Sequence, residues 1–103
     1  MAEKSYTRAF GEKARKRHHH KTDKGRVVDF VVQLEVKVGD LWMPVIRYDC
    51  AHDFAHTDRY NMSGEVVKDE LHLSYAESLT LADEDINSNW EHYTERFMRG
   101  EYP

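Results

Sequence analysis

From residue 27 to residue 38, apolar and polar positions alternate with a period of two. Val28, Phe30, Val32, Leu34, Val36 and Val38 fall on one face, and Val27, Asp29, Val31, Gln33, Glu35 and Lys37 on the other. Alternation rich in β-branched residues predicts an antiparallel strand with one face on a core and the other largely in water. Gly39-Asp40 supplies a hairpin turn, and residues 41–49 form the return strand, where Pro44 implies an edge position or a bulge. The pattern resumes over 56–60, turns at Met62-Ser63-Gly64, and runs again over 65–73. The period then changes. Leu79, Ala82, Ile86, Trp90, Tyr93 and Phe97 are spaced 3, 4, 4, 3 and 4, the stripe of an amphipathic helix. Ser74 and Glu77 make a capping box at its start, and Gly100 stands where a helix-ending glycine belongs. The expected fold is α+β: a small antiparallel β-sheet of about four strands, with a long C-terminal amphipathic helix packed on one face. The stripe also predicts that Trp90→Ala costs roughly 3–5 kcal/mol.

The register of the 27–49 hairpin decides where its polar residues point. A two-residue loop pairs Val32 with Arg47 and Phe30 with Asp49, turning Arg47 and Asp49 toward the apolar side. A three-residue loop shifts the pairing by one and turns them out, with Trp42, Ile46 and Tyr48 inward. Leu41, Met43 and Val45 favour the first register, which is the one expected here.

Residues 1–25 are polar and weakly periodic. Residues 1–17 read as a basic N-terminal arm, or a short helix over 5–17, ahead of a single α+β domain over 18–103. His18-His19-His20 cannot all point one way on a strand or a helix, so the run reads as an edge strand or a solvated stretch. The 103 residues suit one domain, and 40% apolar with 12% aromatic content is globular. No apolar run is long enough to span a membrane, and no secretory signal is evident. The lone Cys50 excludes an internal disulfide framework and fits a reducing cytosol, so the expected location is cytoplasmic.

Net charge is −4 but uneven. Residues 1–26 hold nine basic and three acidic side chains, and the remainder six basic and sixteen acidic. A basic arm of this kind suits RNA, an acidic partner protein or the acidic body of its own chain, and an exposed sheet edge would favour a homodimer.

Chemistry-bearing residues concentrate in 47–58, where Arg47, Tyr48, Asp49, Cys50, His52, His56 and Asp58 fall within twelve positions. Four readings follow. In metal-independent RNA cleavage His56 and His52 act as base and acid, Arg47 holds the phosphate, and Asp49 or Asp58 orients a histidine. Tyr48, Arg17 and Arg26 are then the expected substrate contacts. A metal site at His52, His56 and Asp58, with Cys50 as a further ligand, requires the 50–55 loop to fold back. Cys50 as a nucleophile with His52 as its base is the third. In the fourth, Arg47, Asp49, His52, His56 and Asp58 form a structural polar network in a non-enzymatic binding or regulatory module. The site expectation is the first reading, with no metal and no cofactor, and the fourth as its alternative.

The run R-Y-D-x-A-H-x-x-x-H-x-D follows a strand ending W-x-P-V-I and precedes a helix containing D-I-x-x-N-W-x-x-Y. Over residues 18–99 this resembles a family of small prokaryotic proteins labelled only as a domain of unknown function, which implies no activity. The R-Y-D…H…H segment also resembles toxin components of some bacterial toxin–antitoxin pairs, which carry R-[WY]-D before a histidine cluster. That second likeness implies a nuclease and spans a dozen residues.

Overall fold

The strand expected over 27–38 is the centre of the molecule. In the computed structural model, which describes residues 1–103, it is β3 (Arg26–Val38), with Phe30, Val32 and Leu34 wholly buried on one face. β1 (Ala2–Ala9) and β2 (Ala14–Asp23) precede it; β4 (Leu41–Asp49), β5 (His56–Tyr60) and β6 (Val66–Glu70) follow. The six strands lie side by side in chain order, each antiparallel to the next. The helix α1 (Tyr75–Met98) crosses one face of β2, β3 and β4. The architecture is α+β as expected, with six strands rather than about four.

The two additional strands come from the N-terminal residues. No helix forms over 5–17; those residues belong to a β1–β2 hairpin. All of β1 is exposed, so it buries no apolar stripe that a sequence pattern could reveal. Backbone pairing with β2 holds it. The histidine run lies in β2, which is flanked by β1 and β3 and so is not an edge. His18 is buried on the helix side, with Nδ1 3.0 Å from Asp83 Oδ1 and Nε2 2.6 Å from His20 Nδ1. Beside it Lys16, 1% exposed, donates to Asp83 and to Asn87. His19 points to the other face, toward Ser5.

The β3–β4 hairpin closes with Val38 opposite Leu41 across Gly39-Asp40, and Gly39 takes the left-handed φ of +61°. That loop is the one expected, but the register is not kept. Glu35 pairs with Pro44 and Leu34 with Ile46, which leaves Val45 as a bulge. Val45 and Ile46 are both fully buried, and Ile46 and Tyr48 now face the helix. Arg47 and Asp49 turn to the opposite face, correcting the expectation that they project toward the core. Running straight, the strand would have driven an arginine and an aspartate into an apolar layer, at a large desolvation cost. Pro44 also lies beyond the reach of β5, whose pairing begins at Ile46, so its missing N–H costs no bond to that strand.

The core joins Phe30, Val32, Leu34, Ile46 and Tyr48 to Ala82, Ile86 and Phe97 of the helix. Leu79, Trp90 and Tyr93 of the expected stripe are only partly buried against it. Trp90 stacks on Phe10 with ring centroids 5.0 Å apart. The capping box forms as expected: Glu77 N–H donates to Ser74 Oγ, and Ser74 N–H to Glu77. Asp85 ties the helix to the sheet by accepting from the hydroxyls of Tyr48 and Tyr93 and from Asn89. Burial, then the hydrogen bond to Asp85 and its charge, raise both phenols, Tyr93 to about 12.

Cys50 directly follows β4 as a buried thiol 3.4 Å from Asp29 Oδ1. Burial, assisted by the Asp29 carboxylate, pushes it up to about 11. The folded state therefore favours the neutral thiol. Stability from this group is complete below the unfolded value of about 8.5 and is lost as pH rises toward 11. Alkylation by iodoacetamide at pH 7.5 is expected to run roughly a hundredfold slower in the folded chain than in urea. Equal rates would show the thiol to be open.

Candidate functional site on the open sheet face

The bulge at Val45 composes the face of the sheet that the helix leaves uncovered. Cross-strand partners share a face, and the registers set two adjacent rows across all six strands. One row reads Thr7, Arg17, Gln33, Arg47, Asp58, Lys68, and its neighbour Ser5, His19, Val31, Asp49, His56, Glu70. Adjacent strands stand roughly 4.8 Å apart, so side chains along a row reach one another.

Where the rows cross β4, β5 and β6, five ionisable groups interlock. Asp49 Oδ2 accepts from Arg47 Nε at 2.6 Å, and Asp49 Oδ1 lies 2.7 Å from His56 Nε2. Asp58 Oδ1 lies 3.7 Å from the same ring nitrogen, and Lys68 Nζ sits 3.3 Å from both Asp58 oxygens. The side chains of Asp49, His56 and Asp58 are 6–8% exposed, whereas Arg47 and Lys68 reach solvent at 38% and 64%. Phe54 leans on the His56 ring, with centroids 5.4 Å apart. Tyr60, in the same strand, is raised by burial and then by the Asp58 charge.

Both ring nitrogens of His56 face acceptors. Its Nδ1 faces the Phe54 carbonyl at 3.3 Å while Nε2 faces the Asp49 carboxylate. Both neighbours only accept, and a neutral imidazole donates once. A second ring proton, or a cation taking that proton's place at Nε2, completes the arrangement. In either state the ring has no nitrogen free to receive a substrate proton.

The structure thus brings Arg47, Asp49, His56 and Asp58 together and leaves the other expected site residues apart. His52 is exposed in a short 3-10 turn (Ala51–Asp53) with φ +66°, and no hydrogen bond or ion pair engages it. It stands neither with His56 as an acid–base partner nor in the trio of potential ligand atoms, which is Asp49, His56 and Asp58, all within 4.8 Å of one another. Asp49 takes the place expected for His52, because antiparallel pairing sets it directly opposite His56. Tyr48 faces the helix. Arg26 is exposed at the β2–β3 turn. Cys50 bonds toward Asp29 and Phe30 rather than to His52.

Arg17 does reach the site's neighbourhood. It lines, with Arg47, a groove of about 540 Å³ whose walls include Ser5, Thr7, His19 and Gln33. Sequence reasoning missed Lys68, Ser5, Thr7 and Gln33. Their signal was the alternation of β1, β3 and β6, unreadable without the register.

One family model, described as Domain of unknown function (DUF7718), matches residues 1–103. The chain belongs to that family. No curated protein and no solved structure matches it. The DUF7718 domain includes the β1–β2 hairpin, which lies largely outside the resemblance over 18–99, so both walls of the groove are part of the family's domain. No helix is long and apolar enough to cross a membrane.

Proposed function

We propose that this chain is a binding module that lays an RNA strand across the open face of its sheet. The observation that carries the reading is the groove shared by Arg17 and Arg47, lined by the hydroxyls of Ser5 and Thr7 and the amide of Gln33. Arginine forks suit phosphate oxygens, and hydroxyl and amide groups suit sugars and base edges. Arg17 is 61% exposed and only loosely paired with Glu35, at 3.8 Å, so its guanidinium is available. Arg47 gives Nε to Asp49 and keeps its outer nitrogens for a ligand. The β1–β2 hairpin that builds one wall is net basic, with seven Lys/Arg against three acids over residues 2–23.

Binding is favoured over acid–base cleavage because both ring nitrogens of His56 are engaged and His52 lies apart. In this reading the Asp49–His56–Asp58 cluster is the rigid spine that aims Arg47.

Anisotropy of a labelled single-stranded RNA is expected to report binding that weakens steeply between 50 and 200 mM salt. Arg17→Ala should lower affinity at every sequence tested and reduce the salt slope by about 1. The RNA should remain intact in EDTA. Unchanged binding in Arg17→Ala would remove the groove from the interaction, and cleavage lost in His56→Ala would restore the nuclease reading.

A further inference from the structure

We infer that Asp49, His56 and Asp58 form a binding site for a first-row divalent cation, of the class of Mn²⁺ or Zn²⁺. Three acceptor atoms converge there: Asp49 Oδ1 and Asp58 Oδ1 lie 2.7 and 3.7 Å from His56 Nε2. A proton on Nε2 or a bound cation fits the space where they converge. When Nδ1–H donates to the Phe54 carbonyl, the Nε2 lone pair is directed at the carboxylates. Metal-binding histidines characteristically donate their other N–H in this way, which fixes the tautomer and turns the free lone pair to the ion.

The rest of the site suits a cation that exchanges with solvent. Registered antiparallel strands hold all three ligands, Asp49 directly opposite His56, so the donor set is preformed. One imidazole and two carboxylates favour a borderline cation over the softer thiolate-seeking ones. Lys68, 64% exposed and at 3.3 Å from both Asp58 oxygens, occupies the solvent side of that carboxylate and can withdraw into water as a cation enters. Arg47 engages the other Asp49 oxygen and leaves Oδ1 to the ion.

His18 and His20 are the competing imidazole pair. They offer two ring nitrogens, the Asp83 Oδ1 beside His18 already accepts from Lys16 at 2.9 Å, and Lys4 adds positive charge nearby. The open-face site is therefore the one expected to fill.

The test uses the full chain without an affinity tag, stripped with chelator and free of RNA, so its outcome is independent of the RNA-binding reading. Titration with Mn²⁺ is expected to broaden the His56 ring protons before those of His18 and His20, and calorimetry with Zn²⁺ to show one equivalent bound. Asp58→Asn, which retains the side chain's shape, should weaken binding at least tenfold while the circular dichroism spectrum is kept. Broadening confined to His18 and His20 would overturn the assignment. So would unchanged affinity in Asp58→Asn, or no binding to the wild-type chain at millimolar metal.

Discussion

Asp49→Ala is expected to destabilise the chain by about 3–5 kcal/mol, as is typical when one member of a buried ionic network is removed. Asp49 is 5% exposed and serves two partners, Arg47 through Oδ2 and His56 through Oδ1. Its removal leaves the His56 ring facing Asp58 alone, at 3.7 Å. Asp49→Asn should fall between wild type and alanine, since it keeps the volume and one acceptor oxygen. Urea melts at pH 7 measure both. Neutral or raised stability in Asp49→Ala would mean that the carboxylate is held against the fold's interest, as at sites selected for activity or ligand binding. The spine role assigned to the cluster would then fail.

Phe97→Ala should cost a similar amount, about 3–5 kcal/mol, through loss of a wholly buried aromatic ring and the cavity it leaves. Phe97 closes the core from the last turn of α1, where Gly100 ends the helix at φ +83°. Trp90→Ala is the informative companion. Its ring is only partly buried, and its principal partner is Phe10 of the β1–β2 loop. Its cost should be about 1–2 kcal/mol, well below the 3–5 that the helical stripe alone implies. Equal losses in the two variants would place Trp90 deeper in the core than its exposure indicates.

The divergence of Trp90 and Phe97 illustrates a general limit. A helical stripe shows which residues face the sheet but not how far the sheet extends beneath each. Ala82, Ile86 and Phe97 lie over the core, while Leu79, Trp90 and Tyr93 lie at its margins. The strands show the same division. β3 was legible because one face is apolar and the other polar. β1 has no apolar face: all eight of its residues are exposed, and it is held by backbone pairing with β2 together with polar and stacking contacts such as Ser5 to His19 and Tyr6 on His18. Lys16 and His18 are buried through Asp83 and Asn87, some 65–71 positions away, which no local pattern could announce.

The amino-acid sequence by itself determined the α+β class, the central strand, the capping box and the helix, because each depends on local periodicity or on contacts within a turn. It also placed Arg47, Asp49, His56 and Asp58 in a single short stretch. Only the tertiary structure decided which of these residues meet. The bulge at Val45 turned Arg47 and Asp49 away from the core, and the pairing of β4 with β5 set Asp49 opposite His56 and Arg47 opposite Asp58. The physical reason is that side chains change face at every residue, so one extra residue in a strand re-aims everything after it. That register is the balance of a whole sheet against its helix, and no stretch of twelve residues contains it.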